Sequence, residues 1–252
     1  MSNPAPRAAL GSPLGTPDDP GSPARAVRSM FAAVAPRYDF LNHFLSLGRD
    51  IAWRRATARA LRGRLDRPGT LAVDVCCGTG DLALALAEYS AGKVIGADFC
   101  HPMLGRAREK VGGARQTIYF LEADTLALPF RDDSLDVVSV AFGFRNLADY
   151  ARGLREMRRV LKPGGLVAIL EFSRVRWPVF GPVFRFYFRH VLPRLGTWIS
   201  GVAGPYQYLP DSVSRFPDQE SLAAALVEAG FSNVTYRNFF GGVAALHLGE
   251  KP

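Results

Sequence analysis

The chain has 252 residues, 48% of them hydrophobic and 21% charged, so it can bury a substantial core without disulfides or a structural metal. Its formal net charge of +8 favours anionic partners, such as a membrane surface, nucleic acid or an acidic cofactor, without choosing among them. The three cysteines, two of them adjacent, offer neither a C-x-x-C metal pair nor an even disulfide framework. No apolar run reaches the roughly 18 residues of a membrane span, and the N-terminus lacks a signal peptide's apolar core. We therefore expect a cytoplasmic protein.

The first 25 residues have the composition of a disordered tail. They contain six prolines with glycine, serine and alanine between them, and too few large apolar groups to offset the entropy of the chain. We expect a disordered segment over 1–25 and a single folded domain over 26–252. Residues 51–62 have the spacing of a basic amphipathic helix that precedes the first strand.

Short apolar runs alternate with helical stretches through the middle of the chain. This alternation predicts a mostly parallel sheet with helices on both faces. The Leu-Lys-Pro-Gly-Gly sequence at 161–165 predicts a turn from a helix into the next strand, and Phe-Phe-Gly-Gly at 239–242 predicts the turn of a closing hairpin. The predicted strands cover residues 71–75, 94–98, 118–121, 136–141 and 166–171, followed by the hairpin strands 234–238 and 243–248.

Residues 172–215 interrupt the regular alternation. From Phe172 to Leu209 there is no Asp or Glu, while five arginines are interleaved with ten aromatic residues. Apolar side chains between 184 and 195 recur at helical spacing, and Arg185 and Arg189 share another face of the same helix. We expect an inserted, aromatic and arginine-rich helical cap over the carboxyl edge of the sheet.

A glycine loop, Gly78-Thr79-Gly80, follows the first predicted strand. Glycines let the backbone approach a ligand closely, because they have no Cβ to block it. With Ala83 the loop also meets the G-x-G-x-x-G/A pattern of dinucleotide sites, so the loop alone does not separate a nicotinamide site from a methyl-donor site. Asp98 ends the next strand and can accept hydrogen bonds from the ribose hydroxyls of either cofactor.

Two further polar residues, Asp124 and Thr125, follow the third strand at the same sheet edge. Asp124 can accept a hydrogen bond from an adenine amino group, with Thr125 beside it. An acid at this position is also common as a helix cap or turn residue, and the residues alone leave both interpretations open.

Taken together, these motifs resemble the class I methyltransferases. Within them the sequence is similar to the quinone C-methyltransferases, which convert demethylmenaquinol to menaquinol or methylate the equivalent ubiquinone precursor. The resemblance covers residues 30–249. It is carried by Phe31-x-x-Val-Ala-Pro-Arg-Tyr-Asp39, Leu45-Ser-Leu-Gly48, Cys77-Gly-Thr-Gly-Asp81, Ala127-Leu-Pro-Phe130, Phe142-Gly-Phe-Arg-Asn146, Leu161-Lys-Pro-Gly-Gly165, Leu170-Glu-Phe-Ser173, Tyr206-Gln-Tyr-Leu-Pro210 and Arg215-Phe-Pro-Asp218.

The resemblance implies a Rossmann-like class I methyltransferase fold with a seven-stranded, mostly parallel sheet, and S-adenosyl-L-methionine as the cofactor. The implied cofactor contacts are Gly78, Thr79, Gly80, Asp98, Asp124 and Thr125. The chain departs from the family pattern at Ala141, where members often have Ser before the Phe-Gly of the fourth-strand motif. The hydroxyl contact at that position is therefore absent, although the backbone there can still line the site.

The implied reaction methylates a ring carbon of a quinol, and ionising the neighbouring hydroxyl makes that carbon more nucleophilic. A near-attack geometry contributes about 7 to 11 kcal/mol, whereas one donor to an oxyanion contributes about 3 to 4 kcal/mol. We expect Arg145 to stabilise the phenolate, because arginine is no base near neutral pH, and Asn146 to orient the phenolate or a water that takes the proton. The alternative is a capping Asn146 and a surface Arg145.

Three residues near the N-terminus are further candidates. Tyr38 and Asp39 can close over the cofactor or simply cap and pack their helix. The four histidines show no metal spacing, so no metal is expected; His43 is the histidine we expect nearest to the site.

The expected partners are a polyprenyl quinol and, transiently, an anionic membrane surface at the inner face of the cell membrane. Five arginines at about 1 kcal/mol each do not suffice for anchoring. Nucleic acid is not expected, because the Asn/Asp-Pro-Pro-Tyr and Pro-Cys signals are absent. A homodimer, the choice of quinone, a different small-molecule acceptor, a nicotinamide oxidoreductase without a Tyr-x-x-x-Lys signal and a noncatalytic scaffold stay open as alternatives.

Overall fold

The structure, a computed structural model, describes residues 31–32, 39, 43, 46, 48–112, 118–178, 180–194, 197 and 204–252. The expected tail over 1–25 lies outside the described residues. Within them, no helix combines the length and the apolar character needed to cross a bilayer.

Seven strands form one sheet in the order β3-β2-β1-β4-β5-β7-β6. Among the strands of the described residues, only β7 runs antiparallel to its neighbours, β5 and β6. The predicted mostly parallel sheet and its closing hairpin are confirmed. The strands are β1 Leu71–Val75, β2 Lys93–Asp98, β3 Ile118–Glu122, β4 Leu135–Ala141, β5 Leu161–Phe172, β6 Ser232–Phe239 and β7 Ala244–Glu250.

Helices connect the strands and cover both faces of the sheet. The α-helices are α1 Arg49–Ala60, α2 Arg62–Leu65, α3 Asp81–Ala87, α4 His101–Val111, α5 Tyr150–Val160, α6 Phe180–Phe186, α7 Gly204–Arg215 and α8 Gln219–Glu228. A 3₁₀ turn, Phe144–Asn146, follows β4, a π-helical turn, Tyr187–Val191, continues α6, and a second 3₁₀ turn, Phe240–Gly242, joins β6 to β7. Helices α6 and α7 fall in the predicted cap segment, and α1 matches the predicted basic helix.

The prediction of a separate turn at 161–165 is wrong, because these residues form the start of β5. Leu161 already pairs with Leu135 of β4, and the register then shifts before the pairing resumes at Leu166. Gly164 adopts φ +74°, a left-handed conformation that suits glycine, and its amide donates to Lys251 O. The glycines therefore produce an irregularity inside a strand instead of a separate loop.

Two hydrophobic clusters fill the two faces of the sheet. Successive residues of β1 alternate between them, with Ala72 in the cluster that contains α1 and α3, and Val73 in the cluster that contains α5 and α8. Because both faces are covered, polar groups concentrate at the ends of the strands.

The chain reverses its direction across the sheet between β1 and β4. From β1 it moves outward through β2 and β3, and it returns to pair β4 with β1 on the other side. In open α/β sheets, ligands bind beyond the carboxyl ends of the strands at such a switch point. The fold therefore places the candidate site beyond Val75 and Ala141.

Candidate functional site

A cleft of about 600 Å³, counting the open space at its mouth, lies at this switch point. It is lined by Phe31, Arg54, Asp74, Cys76, Cys77, Gly78, Thr79, Asp81, Leu82, Asp98, Phe99, Met103, Ala141, Phe142, Gly143 and Asn146. Of the predicted site residues, the fold brings Gly78, Thr79, Asp98 and Asn146 together here, and Ala141 lines the cleft as expected.

The loop after β1 turns through left-handed backbone conformations. Cys76, Gly78 and Gly80 have φ of +50°, +56° and +85°. A Cβ on Gly80 would stand 3.2 Å from the Phe120 ring, so this glycine allows α3 to pack against β3. Gly80 therefore supports the loop from behind, whereas Gly78 faces the cleft.

The Asp98 carboxylate joins the loop to the end of β2. One oxygen accepts from the Gly78 amide and the other from the Cys100 amide, both at 2.8 Å. Burial raises the pKa of Asp98 to about 6, although the two amides favour the ionised form. Each carboxylate oxygen has a second lone pair, so the group can still accept from a ligand.

A second buried carboxylate, Asp74, lies below the loop. Ser139, its cross-strand neighbour on β4, donates to Asp74 Oδ1 at 2.9 Å. Burial raises the pKa of Asp74 to about 8, against the opposing effects of Ser139 and the Arg54 guanidinium. Burial therefore favours the protonated form of Asp74, and Arg54, buried on α1 and paired with Asp50, lines the cleft.

Thr79 is held by charged residues from two other segments. Its hydroxyl bonds to Asp39 Oδ1 and accepts from Lys110 Nζ at 3.1 Å. Lys110 also pairs with Asp39 Oδ2 at 2.5 Å and with Asp81 Oδ1 at 2.6 Å. Asp39 is therefore bonded to the glycine loop and to α4, and its closing over a cofactor stays a prediction. Tyr38 lies outside the described residues.

His43 joins the same network. Its Nδ1 is 2.9 Å from Asp50 Oδ2, and its Nε2 is 3.9 Å from Asp81 Oδ2. The atoms of His43, Asp50 and Asp81 that could bind a metal ion lie within 4.8 Å of one another. Both carboxylates already have cationic partners, Arg54 for Asp50 and Lys110 for Asp81. The expectation that His43 lies near the site is confirmed.

The structure places Asp124 and Thr125 outside the cleft lining. Asp124 is exposed, and its Oδ1 accepts from the Leu126 amide at 2.9 Å, which is the turn geometry of the alternative interpretation. Thr125 is buried, with its hydroxyl 3.3 Å from Cys76 Sγ. In this geometry Thr125 supports the loop, and a direct contact of either residue with a cofactor stays a prediction.

Asn146 closes the cleft on the β4 side. Its Oδ1 accepts from the Tyr208 hydroxyl of α7 at 2.9 Å. With its oxygen engaged there, the amide nitrogen of Asn146 is the group available to donate into the cleft. The cap segment therefore contributes directly to the orientation of a predicted catalytic residue.

Arg145 is the middle residue of the 3₁₀ turn Phe144–Asn146, and its side chain is buried against Glu171 at the end of β5. Its Nη1 is 3.1 and 3.2 Å from the two Glu171 oxygens and also bonds to Phe142 O. Glu171 accepts from the Arg145 backbone amide at 3.1 Å as well, and Tyr150 donates to Arg145 O at 2.8 Å. The surface position considered for Arg145 is wrong. Arg145 is not among the cleft-lining residues, so its contact with a phenolate stays a prediction.

Aromatic rings lead away from the cleft toward the cap. Phe142 packs on Phe172 with 4.7 Å between ring centroids, and Phe172 contacts Phe188, which stacks on Phe184. The last two rings line a second cavity of about 1050 Å³, counting open space. Its lining comprises Ser173, Arg174, Val175, Phe184, Phe188, Arg189, Pro210, Asp211, Val213, Ser214, Phe216 and Asp218.

Three residues at or beside the cleft were not predicted from the sequence. Arg54 is one of several arginines in a basic helix, and only the packing of α1 buries it beside Asp74. Phe99 could have been found, because it directly follows Asp98 at a strand end. Tyr208 lies 62 residues from Asn146, so sequence proximity could not reveal this contact.

Known proteins resemble this chain in sequence and in fold. A family model described as the ubiE/COQ5 methyltransferase family matches residues 21–251. The demethylmenaquinone methyltransferase of Thermus thermophilus is 50% identical over 224 residues, 88% of this chain and 100% of that relative. The ubiquinone/menaquinone biosynthesis C-methyltransferase UbiE of Geobacter sulfurreducens is 44% identical, covering 89% and 88% of the two chains. A solved SAM-dependent methyltransferase from Aquifex aeolicus, 20% identical, has a TM-score of 0.56 over 78% of this chain and 89% of its own, which supports the fold alone.

Proposed function

The chain belongs to the ubiE/COQ5 methyltransferase family, and from this premise we propose that it methylates a ring carbon of a polyprenyl quinol, demethylmenaquinol, to give menaquinol. The observation that carries the substrate is the 50% identity, over a relative's whole length, to a protein named demethylmenaquinone methyltransferase. The cleft at the switch point between β1 and β4 supplies the site.

The residues on the β1 and β2 side fit S-adenosylmethionine. Asp98 offers buried carboxylate oxygens for ribose hydroxyls, Gly78 brings backbone to the surface of the cleft, and Phe99 offers a ring on which adenine can stack. Arg54 is paired with Asp50, and its remaining N–H groups can donate to the cofactor's carboxylate. Bound in this cleft, S-adenosylmethionine would supply an electrophilic methyl group.

The residues on the β4 side act on the quinol. The Asn146 amide donates to the oxygen of the ring hydroxyl and so favours its ionised form, while Tyr208 fixes the amide's orientation. Arg145, paired with Glu171, holds the turn that presents Asn146 and contributes its charge from behind the loop. Most of the rate enhancement comes from placing the ring carbon in line with the methyl donor, which can reduce the barrier by about 7 to 11 kcal/mol.

A lipid acceptor calls for space beyond the cleft and for access to a membrane. The aromatic row from Phe142 to Phe188 and the second cavity are suited to the first units of a prenyl chain. The acid-free segment from Phe172 to Leu209 supports transient association with an anionic membrane surface. The enzyme then works in the cytoplasm at the inner face of the cell membrane.

A second candidate acceptor is the benzoquinol precursor of ubiquinone. It is favoured by the 44% identity to a relative whose name includes both quinones. The ring substituents differ between the two acceptors, whereas the methyl transfer is the same.

The deciding experiment measures transfer of labelled methyl from S-adenosylmethionine to both acceptors side by side, each with a short prenyl chain. We expect product from demethylmenaquinol at a kcat/KM above that for the benzoquinol. Product from the benzoquinol alone would assign the second candidate, and product from neither would refute the quinol function. Calorimetry with S-adenosylmethionine and NAD tests the cofactor separately.

A further inference from the structure

Two exposed aromatic side chains form a surface patch beside the hairpin turn. Trp177 and Phe240 are 50% and 36% exposed, and their rings pack 5.8 Å apart. The guanidinium of Arg49, at the start of α1, lies 4.2 Å from the centroid of the Phe240 ring. Large apolar side chains that stay exposed as a cluster with a cation beside them are typical of an interaction surface.

The patch is held in place by its backbone. Phe240 has φ +46°, a left-handed conformation that is unfavourable for a bulky side chain, and it is followed by Gly241 at φ +66°. A Cβ on Gly241 would stand 2.5 Å from the Trp177 ring, so only glycine permits the ring to lie there. The Arg176 amide donates to Gly241 O at 2.8 Å. The fold therefore maintains a strained turn that presents an aromatic ring to solvent.

The charge around the patch is positive. Arg49 lies over the Phe240 ring, and Arg176, which precedes Trp177 in the chain, is 2.8 Å from Glu220. Two further arginines lie on the same segments: Arg174 is 3.8 Å from Asp218, and Arg237 lies over the ring of Phe239, the residue before Phe240. Cationic side chains beside exposed aromatic rings are complementary to an anionic lipid surface.

The patch also lies beyond the carboxyl ends of the strands, as the cleft does. Phe239, which precedes Phe240, stacks on Trp53, and Trp53 contacts Phe142 in the wall of the cleft. The segment that carries Trp177 leaves the carboxyl end of β5. A membrane contacted by the patch would therefore face the side of the molecule that receives the acceptor.

We propose that Trp177 and Phe240, with Arg49 beside them, are the membrane-interface contact of this enzyme, which inserts two rings among anionic lipid headgroups. The proposal rests on the proposed function only in that a lipid acceptor gives the enzyme a reason to reach the membrane. Trp and Phe suit the membrane interface, because their rings bury apolar surface at the boundary between headgroups and acyl chains.

The first test measures binding of the full chain to vesicles of phosphatidylglycerol by co-sedimentation. We expect Trp177→Ser to lower the partition coefficient by about five- to tenfold. The matched control is Tyr119→Ser, which removes a ring that is 49% exposed. Tyr119 lies on β3, the outermost strand on the side of the sheet away from β6. An equal fall of the partition coefficient in the two variants, or no binding of the parent chain at low salt, would overturn the proposal.

A second test separates the charge from the rings. Arg49→Gln should weaken binding about fivefold at low salt, whereas Arg59→Gln, near the other end of α1, should have a smaller effect. Brominated lipids should quench tryptophan emission of the parent chain, and Trp177→Phe should abolish that quenching. Self-association that Trp177→Ser abolishes, with vesicle binding unchanged, would instead assign the patch to a second copy of the chain.

Activity on a water-soluble, short-chain demethylmenaquinol without vesicles keeps the two proposals apart. The patch variants should retain full turnover in that assay, because the patch lies outside the cleft. Vesicle binding without turnover would refute the quinol function and leave the membrane contact standing. Turnover without vesicle binding would refute the membrane contact alone.

Discussion

The two sides of the cleft are built by different kinds of contact. On the β1 and β2 side, the Asp98 carboxylate accepts from the backbone amides of Gly78 and Cys100, which lie close to the strand ends. On the β4 and β5 side, the contacts run between distant side chains, Glu171 with Arg145 and Tyr208 with Asn146. On the first side the loop is shaped by its backbone, through amide hydrogen bonds and left-handed glycines, and side chains from two other segments bind its Thr79 hydroxyl. The second depends on the packing of the whole domain and on the cap segment.

This difference predicts different consequences of substitution. Changes on the β1 and β2 side should act mainly on cofactor affinity, because the loop keeps its shape through its own backbone. Changes on the β4 and β5 side should act on turnover and, where a charge is buried, on the stability of the fold.

The largest expected effect follows from Glu171→Ala. The Arg145 and Glu171 side chains are only 6% and 1% exposed, so the substitution leaves a buried guanidinium without its carboxylate. We expect the free energy of unfolding in urea to fall by about 3 to 5 kcal/mol. The double variant Arg145→Met/Glu171→Leu should recover most of that stability without recovering turnover. A loss below about 1 kcal/mol for Glu171→Ala would mean that the pair is not held as the structure describes.

Asn146→Ala should have the next largest effect, on turnover. Removing one donor to a developing oxyanion lowers kcat by about 100-fold or more. The affinity for S-adenosylmethionine, measured by calorimetry, should change little. Asn146→Asp is the matched control, since it keeps the shape and the acceptor for Tyr208 but loses the amide donor. An active Asn146→Asp enzyme would show that Asn146 has only a structural role.

Asp98 should make cofactor affinity depend on pH. Because burial raises its pKa to about 6 in the free enzyme, the carboxyl is protonated below that pH and loses part of its capacity to accept from ribose. Affinity for S-adenosylmethionine should be constant above pH 6 to 7 and fall by up to about tenfold per pH unit below it. Asp98→Asn should bind about 10- to 100-fold more weakly, without this pH dependence.

Asp124→Asn should be compared with Asp98→Asn in the same measurement of S-adenosylmethionine affinity. The sequence predicts that Asp124 contacts the cofactor, whereas the structure places it outside the cleft lining. The exposed Asp124 accepts from its own turn, so we expect little change in affinity. A loss as large as that of Asp98→Asn would support the sequence-based expectation and contradict the geometry described.

Most of the fold could be predicted because its signals are local. Strand β1 and the closing hairpin follow from apolar runs between turn residues, and the predicted bounds agree to within a residue or two. The start of β5 could not be predicted, since Lys-Pro-Gly-Gly is typical of a turn and only its pairing with β4 and its contact with Lys251 make it part of a strand.

The candidate site was predictable to a smaller extent. Asp98 ends a strand and Gly78 and Asn146 follow strands, and the topology of a parallel sheet brings such ends to one edge. What the hydroxyl of Thr79 binds could not be predicted, because its partners Asp39 and Lys110 come from segments 40 and 31 residues away. The burial of Arg54 and of Arg145 likewise follows from packing and not from any local pattern.

Tyr208→Phe should give the smallest effect and the sharpest test of the comparison between the two sides. It removes one hydroxyl and keeps the ring, so only the hydrogen bond to Asn146 Oδ1 is lost. A neutral hydrogen bond contributes about 0.5 to 1.5 kcal/mol, which corresponds to a kcat lower by about two- to tenfold. The same substitution in an Asn146→Ala background should have almost no effect, because the pair acts as a unit. Additive losses in this double-mutant cycle would show that Tyr208 acts independently of Asn146, and that the cap does not orient the catalytic side chain.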